Sequence, residues 1–180
     1  MKCDNAACND TYYQYHNCGN RHCMNCGGLK REQWIDDRMS ELLPTKYYHV
    51  VFTVPHELHT LFVVNRSKLF DLIFEAGHYT LVKLGRDPKW LGATPGIISV
   101  LHTNGQDLSF HPHIHCIVSG GGTDKDGNWI AEKRKNGMFL FPRRVMELMY
   151  KARFLRLLTR MLGNGELIIP DKFEASAIES

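Results

Sequence analysis

The sequence predicts an α+β protein with a ferredoxin-like βαββα core and an antiparallel sheet, preceded by a small zinc ribbon. Three observations support this fold class. Five of the six cysteines lie before residue 27, in a polar stretch. Beyond residue 45, segments rich in aromatic and β-branched residues alternate with segments of helical periodicity, in the order β-α-β-β-insert-α-(β). That order is the split βαβ pattern, in which the two middle strands are antiparallel neighbours.

Length and charge set broad limits on the class of protein. The 180 residues suffice for one core domain and a small satellite. The net charge of +3 permits a nucleic-acid partner without requiring one. The apolar stretches are too short to span a membrane, and the first residues lack the apolar core of a signal peptide. We therefore expect a cytoplasmic protein, in which clustered cysteines bind metal more often than they form disulfides.

The first half of the chain predicts a helix, a strand and a second helix. "REQWIDDRMSELLP", residues 31–44, predicts a short helix ended by Pro44. "KYYHVVFTVP", residues 46–55, has the composition of a strand. "SKLFDLIFEAGHYTLVKLG", residues 67–85, has apolar residues at helical spacing, with Gly85 as the C′ residue. The expected domains are a ribbon at 1–30, a connecting helix at 31–45 and the main domain at 46–180.

The second half predicts the middle strands and a basic helix. In order, the expected elements are a loop at 87–96, strands at 97–103 and 111–119, a hairpin that pairs Trp129–Ala131 with Met138–Phe141, a helix at 143–162 and a last strand in "ELIIP", 166–170. The helix is amphipathic, and Arg153, Arg156 and Arg160 share one of its faces. This stripe either contacts phosphates of DNA or is a solvated helix face.

The cysteine region has the spacing of a zinc site. Cys3 and Cys8 are separated by four residues, and Cys23 and Cys26 by two, so the two pairs can face each other around a tetrahedral ion. The segment is too small for an apolar core, and metal binding would therefore supply its folding free energy. We expect a structural zinc rather than a catalytic one. The predicted ligands are Cys3, Cys8, Cys23 and Cys26, with Cys18 and His22 as alternates.

The second candidate site lies in "HPHIHCIV", residues 111–118. Successive side chains of a strand point to opposite faces. One face would therefore carry the imidazoles of His111, His113 and His115, and the other would carry Ile114, Cys116 and Val118. Because imidazolium neighbours repel one another, a bound cation that keeps the rings neutral is an economical explanation.

His113 and His115 project in parallel and can chelate one ion. The next ligand has to come from elsewhere, and the candidates are Gln106, His102 and His111. A divalent ion such as Mg²⁺ or Mn²⁺ held there would polarise a phosphodiester as a Lewis acid. A His-hydrophobic-His motif on a ferredoxin-like sheet is typical of the HUH endonucleases.

Several long blocks, in one order, resemble the IS91-type transposases. They are "YHNCGNRHCMNCG", "RMSELLPTKYYHVVFTVPHEL", "DPKWLGATPGIISVLHTNGQDLSFHPHIHCIVSGGG" and "FLFPRRVMELMYKARFLRLL", and the resemblance covers residues 3–160. It implies a zinc-binding domain followed by an HUH nuclease domain. It also implies a bacterial, nucleoid-associated enzyme that nicks and transfers single-stranded DNA at element ends in rolling-circle-like transposition, with His113 and His115 as the metal-binding pair.

The sequence departs from the family pattern at the nucleophile. Family members attack the DNA with a tyrosine on a helix well downstream of the histidine motif, which forms a covalent link to the 5′ end. Here the sole tyrosine after residue 115 is Tyr150, at a position where relatives carry a packing aromatic. We therefore expect the nucleophile to be missing, both ends of the chain to be truncated, and the full reaction to fail. The alternative function is a non-catalytic, zinc-dependent DNA-binding remnant.

Overall fold

The structure is a computed structural model, and it describes residue 8 and residues 18–20, 23–132 and 140–170. The chain divides into two compact units, residues 1–44 and 45–180, which we describe separately. Within the described residues, no helix is both long enough and apolar enough to cross a membrane.

The first unit contains helix α1, Met24–Ser40. The predicted helix is present, but it begins before residue 31, since Cys23 occupies the N-cap position. The helix ends ahead of Pro44, where the Glu41 amide donates to the Arg38 carbonyl at 3.2 Å and the Leu42 amide donates to the Met39 carbonyl at 3.3 Å. Trp34 and Met39 are exposed on it. The described part of this unit therefore has little apolar core.

The second unit contains an antiparallel sheet of four strands. They are β1 (Tyr47–Thr53), β2 (Thr94–Asn104), β3 (Phe110–Thr123) and β4 (Trp129–Ala131). Both β1 and β2 pair antiparallel with β3, which lies between them. Strands β1 and β2 therefore run in the same direction with β3 inserted, as the split βαβ pattern requires. The predicted α+β class and the antiparallel pairing of the middle strands are confirmed.

In the part of this unit that the structure describes, three helices accompany the sheet: α2 (His59–Val64), which follows a 3₁₀ turn at His56–Leu58, α3 (Arg66–Arg86) and α4 (Arg143–Gly163). The core lies between α3, α4 and one face of the sheet. A Cβ added at Gly77 of α3 would lie 2.7 Å from Ile114 Cδ1, so the helix backbone approaches β3 closely. On α4, the Tyr150 ring stacks on Phe52 of β1. Among the described residues of this unit, the helices therefore cover one sheet face and leave the other open.

Gly85 does not end α3 in the way that we predicted. It is a buried residue inside the helix, and its carbonyl accepts a hydrogen bond from the Ala93 amide at 2.9 Å. An added Cβ would lie 2.4 Å from Pro95 Cδ, so this glycine is needed for close packing against β2. Strand β2 begins at Thr94, which shortens the predicted loop at 87–96.

Two strand predictions are corrected by the pairing. Trp129–Ala131 is a strand, but it pairs with Gly121–Thr123 of β3, while residues 133–139 of the predicted hairpin lie outside the described residues. Residues 166–170 do not form a strand. The Asn65 side chain hydrogen-bonds both the carbonyl and the amide of Ile168, at 2.7 and 2.8 Å, and so takes the place of a neighbouring strand.

Candidate metal centres

Strand β3 separates its histidines from its apolar residues, as the alternation predicted. Ile114 and Cys116 have no exposed surface and belong to the core under the helices. The rings of His113 and His115 lie on the opposite, open face, with their centroids 4.9 Å apart. A buried strand face therefore fixes the orientation of the two imidazoles before any ligand binds.

His102 of β2 completes a group of three imidazoles. It lies opposite His113 in the β2–β3 register, and its ring centroid is 4.3 Å from that of His115. Each of the three side chains offers a nitrogen that lies within 4.8 Å of the other two. Gln106, the predicted additional ligand, is exposed in the turn that joins β2 to β3. The geometry therefore favours His102 among the candidates that the sequence left open.

A β-bulge next to the site explains how the backbone orients His113. Between His102 and Asn104, strand β3 advances by one residue more than β2. Pro112 lies in this bulge, where its missing N–H costs no ladder hydrogen bond. The Nδ1–H of His113 donates to the His111 carbonyl at 2.6 Å, which leaves the lone pair of the neutral ring on Nε2. The ring of His111 lies between His113 and His59, with centroid distances of 5.3 and 5.4 Å, but it is not a member of the group of three whose donor atoms lie within 4.8 Å.

His49 of β1 is a member of the site that sequence reasoning missed. Its Nε2 lies 2.7 Å from Nδ1 of His115. In the β1–β3 register His49 lies opposite Ile117, one diagonal step from His115. The alternation of β1 could have placed His49 on the open face, but only the register shows which residue of β3 it meets.

The surroundings of His115 favour its neutral form. Burial lowers its pKa, and the nearby rings of His102, His113 and His49 lower it further, because each would repel an imidazolium. A neutral imidazole is the form that binds metal ions. The donor set of three imidazole nitrogens therefore suits a transition-metal ion.

Tyr150 lies on the other side of the sheet from the imidazoles. Its ring stacks on Phe52, 4.6 Å between centroids, and packs against the core. Burial raises the pKa of its hydroxyl, and the Cys116 thiol raises it further. The hydroxyl is buried and has no hydrogen-bond partner among the described atoms. The structure thus places Tyr150 as a packing aromatic, separated from the imidazoles by β3.

The arginine stripe of α4 is divided. Arg153 forms an ion pair with Glu75 of α3, and its guanidinium lies 4.4 Å from the centroid of the Tyr79 ring. Those contacts hold the α3–α4 packing. Arg156 and Arg160 are exposed. Two arginines of the predicted stripe, Arg156 and Arg160, are therefore available at the surface, whereas Arg153 packs between α3 and α4.

The first unit contains a cluster of three cysteines. The sulfurs of Cys18, Cys23 and Cys26 lie within 4.8 Å of one another, and those of Cys18 and Cys26 are 3.6 Å apart. The Gly19 amide donates to Cys26 Sγ at 3.3 Å, from a turn in which Gly19 has a φ of +69°. Cys23 and Cys26 are predicted ligands and Cys18 is an alternate. Cys8 is half-buried, and the predicted Cys3 and His22 lie outside the described residues.

The donor set of this cluster fits zinc. Thiolates are preferred zinc ligands, and three sulfurs at these separations can occupy one side of a tetrahedral ion. Although the Gly19 amide lowers the pKa of the Cys26 thiol, burial and the hydrogen bonds with Cys18 and Cys23 raise it, and the net pKa lies above the ordinary value. The charge of a bound ion would therefore supply what is needed to hold this sulfur as a thiolate.

Comparisons with known proteins identify the family of both parts of the chain. Residues 1–54 match the family model described as "Transposase zinc-binding domain", and residues 96–178 match the one described as "Putative transposase". The chain is 42% identical over 161 residues to "Putative transposase y4qJ" of Sinorhizobium fredii (strain NBRC 101917 / NGR234), which covers 89% of this chain and 40% of that protein.

A second relative and two solved structures complete the comparison. The chain is 36% identical over 127 residues to "Transposase for insertion sequence element IS801" of Pseudomonas savastanoi pv. phaseolicola, covering 71% of this chain and 30% of that protein. Structures of the conjugative relaxase TrwC with oriT DNA cover 63% of this chain. The structure described as metal-bound has a TM-score of 0.47 and is 14% identical, and the match covers 43% of its length. The copper-bound structure has a TM-score of 0.49 and is 18% identical, and the match covers 42% of its length. The chain belongs to the IS91-type transposases and carries the zinc-binding domain and transposase domain of that family.

Proposed function

We propose that this chain binds single-stranded DNA on the open face of its sheet and positions a phosphodiester for metal-assisted nicking during DNA transposition. The observation that carries the proposal is the group formed by His102, His113 and His115, whose donor nitrogens lie within 4.8 Å of one another. A site of this kind on an exposed sheet face gives a DNA backbone direct access. The chain spans 40% and 30% of the two curated relatives, so the activity of a whole transposase is part of the proposal.

The imidazoles of the site would bind a metal ion. His102, His113 and His115 would bind a divalent transition-metal ion such as Mn²⁺, because imidazole nitrogens suit such ions better than Mg²⁺. When bound, the ion would polarise the phosphate as a Lewis acid. The predicted Gln106 stays a candidate for a further ligand if the β2–β3 turn closes over the site.

The surface around the imidazoles favours a single strand over a duplex. Val51 and Val100 flank His115 in register on the neighbouring strands, and they are 41% and 38% exposed. Exposed apolar side chains can contact the unstacked bases of a single strand, whereas a duplex keeps its bases inside. The exposed Arg156 and Arg160 would contribute phosphate contacts elsewhere on the unit. Such a protein would act in the bacterial cytoplasm, at the nucleoid.

The tyrosine step is not assigned to Tyr150. That hydroxyl is buried on the helix-covered side, and its raised pKa disfavours the phenolate that would attack phosphorus. The second candidate function, DNA binding without strand transfer, follows from this placement. In both cases the N-terminal cysteines would hold a structural zinc.

Cleavage of labelled DNA tests the proposal. We expect the purified chain to bind single-stranded DNA of a transposon end more tightly than the duplex of the same sequence. With Mn²⁺ we expect slow cleavage in which water attacks phosphorus and the products carry a 3′-hydroxyl and a 5′-phosphate. This cleavage should be lost in a His113→Ala/His115→Ala variant and retained in Tyr150→Phe. Binding without cleavage would support the DNA-binding function instead. A covalent DNA adduct on Tyr150 would overturn the assignment of that residue to the core.

A further inference from the structure

We propose that His49 is a positioning residue, which accepts a hydrogen bond from Nδ1 of His115 and thereby leaves Nε2 of His115 to bind the metal ion. This inference rests on the proposed metal site at His102, His113 and His115. It adds a residue from β1, a strand that contributes no ligand to that group.

The geometry of the two rings is that of an in-plane hydrogen bond. Nε2 of His49 lies 2.7 Å from Nδ1 of His115, and the ring planes are inclined by only 8°. The centroids are 4.9 Å apart, which exceeds the nitrogen separation by about two ring radii. The rings therefore meet end to end, with a nitrogen lone pair of one directed at the N–H of the other.

The position of the proton follows from the requirement for a ligand. A neutral imidazole has one N–H and one lone pair. If His49 donated, Nδ1 of His115 would accept and Nε2 of His115 would carry the proton, so neither nitrogen of His115 could bind metal. If His115 donates, its Nε2 keeps the lone pair. A metal-binding His115 therefore requires that His49 is the acceptor.

His113 has the same arrangement with a different acceptor. Its Nδ1 lies 2.6 Å from the His111 carbonyl oxygen and donates to it, so Nε2 of His113 also keeps the lone pair. The bulge at Pro112 brings a backbone carbonyl to His113, but His115 lies farther along β3, where the carbonyls belong to the ladder. A side chain from β1 supplies the acceptor there. In both histidines of the His-Ile-His motif Nδ1 would thus be held by a hydrogen bond, and Nε2 would keep the lone pair for an ion.

Metal affinity measured on the full chain tests this inference. The cysteine site is first filled with one equivalent of zinc, and Mn²⁺ is then titrated while free Mn²⁺ is followed by electron paramagnetic resonance. We expect His49→Ala to weaken Mn²⁺ binding by about 10–100-fold, the range for loss of such outer contacts. His49→Gln, whose carbonyl can accept the same hydrogen bond, should recover much of the affinity. His56→Ala, which removes an exposed histidine ring beside Glu57, is the matched control and should bind as the unmodified chain does.

The tautomer of His115 gives a readout that does not depend on the ion. In ¹⁵N-labelled, metal-free chain, at a pH where the rings are neutral, two-bond ¹H–¹⁵N correlations should show the proton of His115 on Nδ1. His49→Ala should give a mixture of tautomers, and His49→Gln should restore Nδ1–H.

The outcomes separate this inference from the proposed function. Unchanged Mn²⁺ affinity and an unchanged tautomer in His49→Ala, beside a His102→Ala variant that binds weakly, would overturn the role of His49 alone. If the unmodified chain bound Mn²⁺ no better than His102→Ala does, the metal site itself would be wrong, and this inference with it.

Discussion

The two candidate metal centres differ in how much buried apolar structure surrounds them. The cysteine cluster lies in a unit whose described residues include one buried apolar side chain, Cys26 itself. The histidine group lies on a strand whose opposite face, at Ile114 and Cys116, is fully buried. At the cysteines the ion would be part of what holds the fold together, whereas at the histidines the fold exists first and presents a site. We therefore expect the two units to respond in opposite ways to loss of metal.

Removal of metal from the full chain should give the largest difference between the units. Structural zinc contributes about 10–16 kcal/mol of binding free energy in small zinc domains, and without it such domains unfold. After treatment with a strong chelator we expect a protease to cleave within residues 1–44, while residues from Thr45 to the end of α4 stay protected. Mass spectrometry of the fragments checks this.

Zinc added back provides the control, since it should restore protection of the first unit. Equal protection of both units with and without chelator would mean that the cysteines do not depend on an ion. Loss of both units together would mean that the sheet also needs metal to fold, which contradicts the contrast drawn above.

Neighbouring residues of β3 sharpen the contrast within one strand. Ile114→Ala should lower the free energy of unfolding by about 2–5 kcal/mol, because it opens a cavity between the sheet and α3. His115→Ala removes a half-buried ring on the open face and should cost less than about 1 kcal/mol. Urea denaturation of the sheet unit, followed in the full chain, measures both. The expected effects on metal affinity are the opposite: His115→Ala should lose metal binding, and Ile114→Ala should affect it less.

The comparison fails if the two costs are alike. A large loss of stability in His115→Ala would show that the histidine is a core residue with a role in folding. A small loss in Ile114→Ala would show that the helices do not depend on β3 for their packing.

The parts of the fold that depend on local pattern were predictable. The alternation in "HPHIHCIV" was enough to assign the faces of β3, and the order of elements was enough to pair β2 with β3. Helical periodicity placed α3 and α4, although their exact ends depended on contacts made elsewhere. The resemblance to the IS91-type transposases was likewise carried by contiguous blocks, and both family models confirm it.

The parts that depend on distant contacts were not predictable. His49 and His115 are 66 residues apart in the chain, and only the β1–β3 register brings them together. Gly85 has the local signature of a helix end, but the approach of Pro95 makes it a packing glycine. Residues 166–170 have strand composition, yet the Asn65 side chain satisfies the backbone amide and carbonyl of Ile168 in the middle of the segment. In each case a tertiary partner overrode the local preference.

The smallest expected effect concerns His59, which borders the histidine group without belonging to it. Burial lowers its pKa, and although its hydrogen bond to the Val54 backbone opposes this, nearby His111 and His56 lower it further. Its Nε2 is buried and has no described partner, so a second proton there would lack an acceptor. The folded pKa therefore lies below the ordinary value of 6.5. As the pH falls through that value, the unfolded chain binds the proton first, and stability falls.

The His59→Asn variant isolates this contribution. Asparagine can keep a donor to the Val54 carbonyl but does not titrate, so the loss of thermal stability on acidification should be smaller than in the unmodified chain. The difference in the change of Tm between neutral and mildly acidic pH should be on the order of 1 °C, because the ring keeps part of its contact with water. Zinc is kept saturating, since the cysteine site has its own pH dependence. If Tm changed with pH in the same way in both proteins, His59 would have the same pKa in the folded and unfolded states. A steeper fall in the variant would mean that the folded state favours the charged ring, opposite to the direction expected from its buried Nε2.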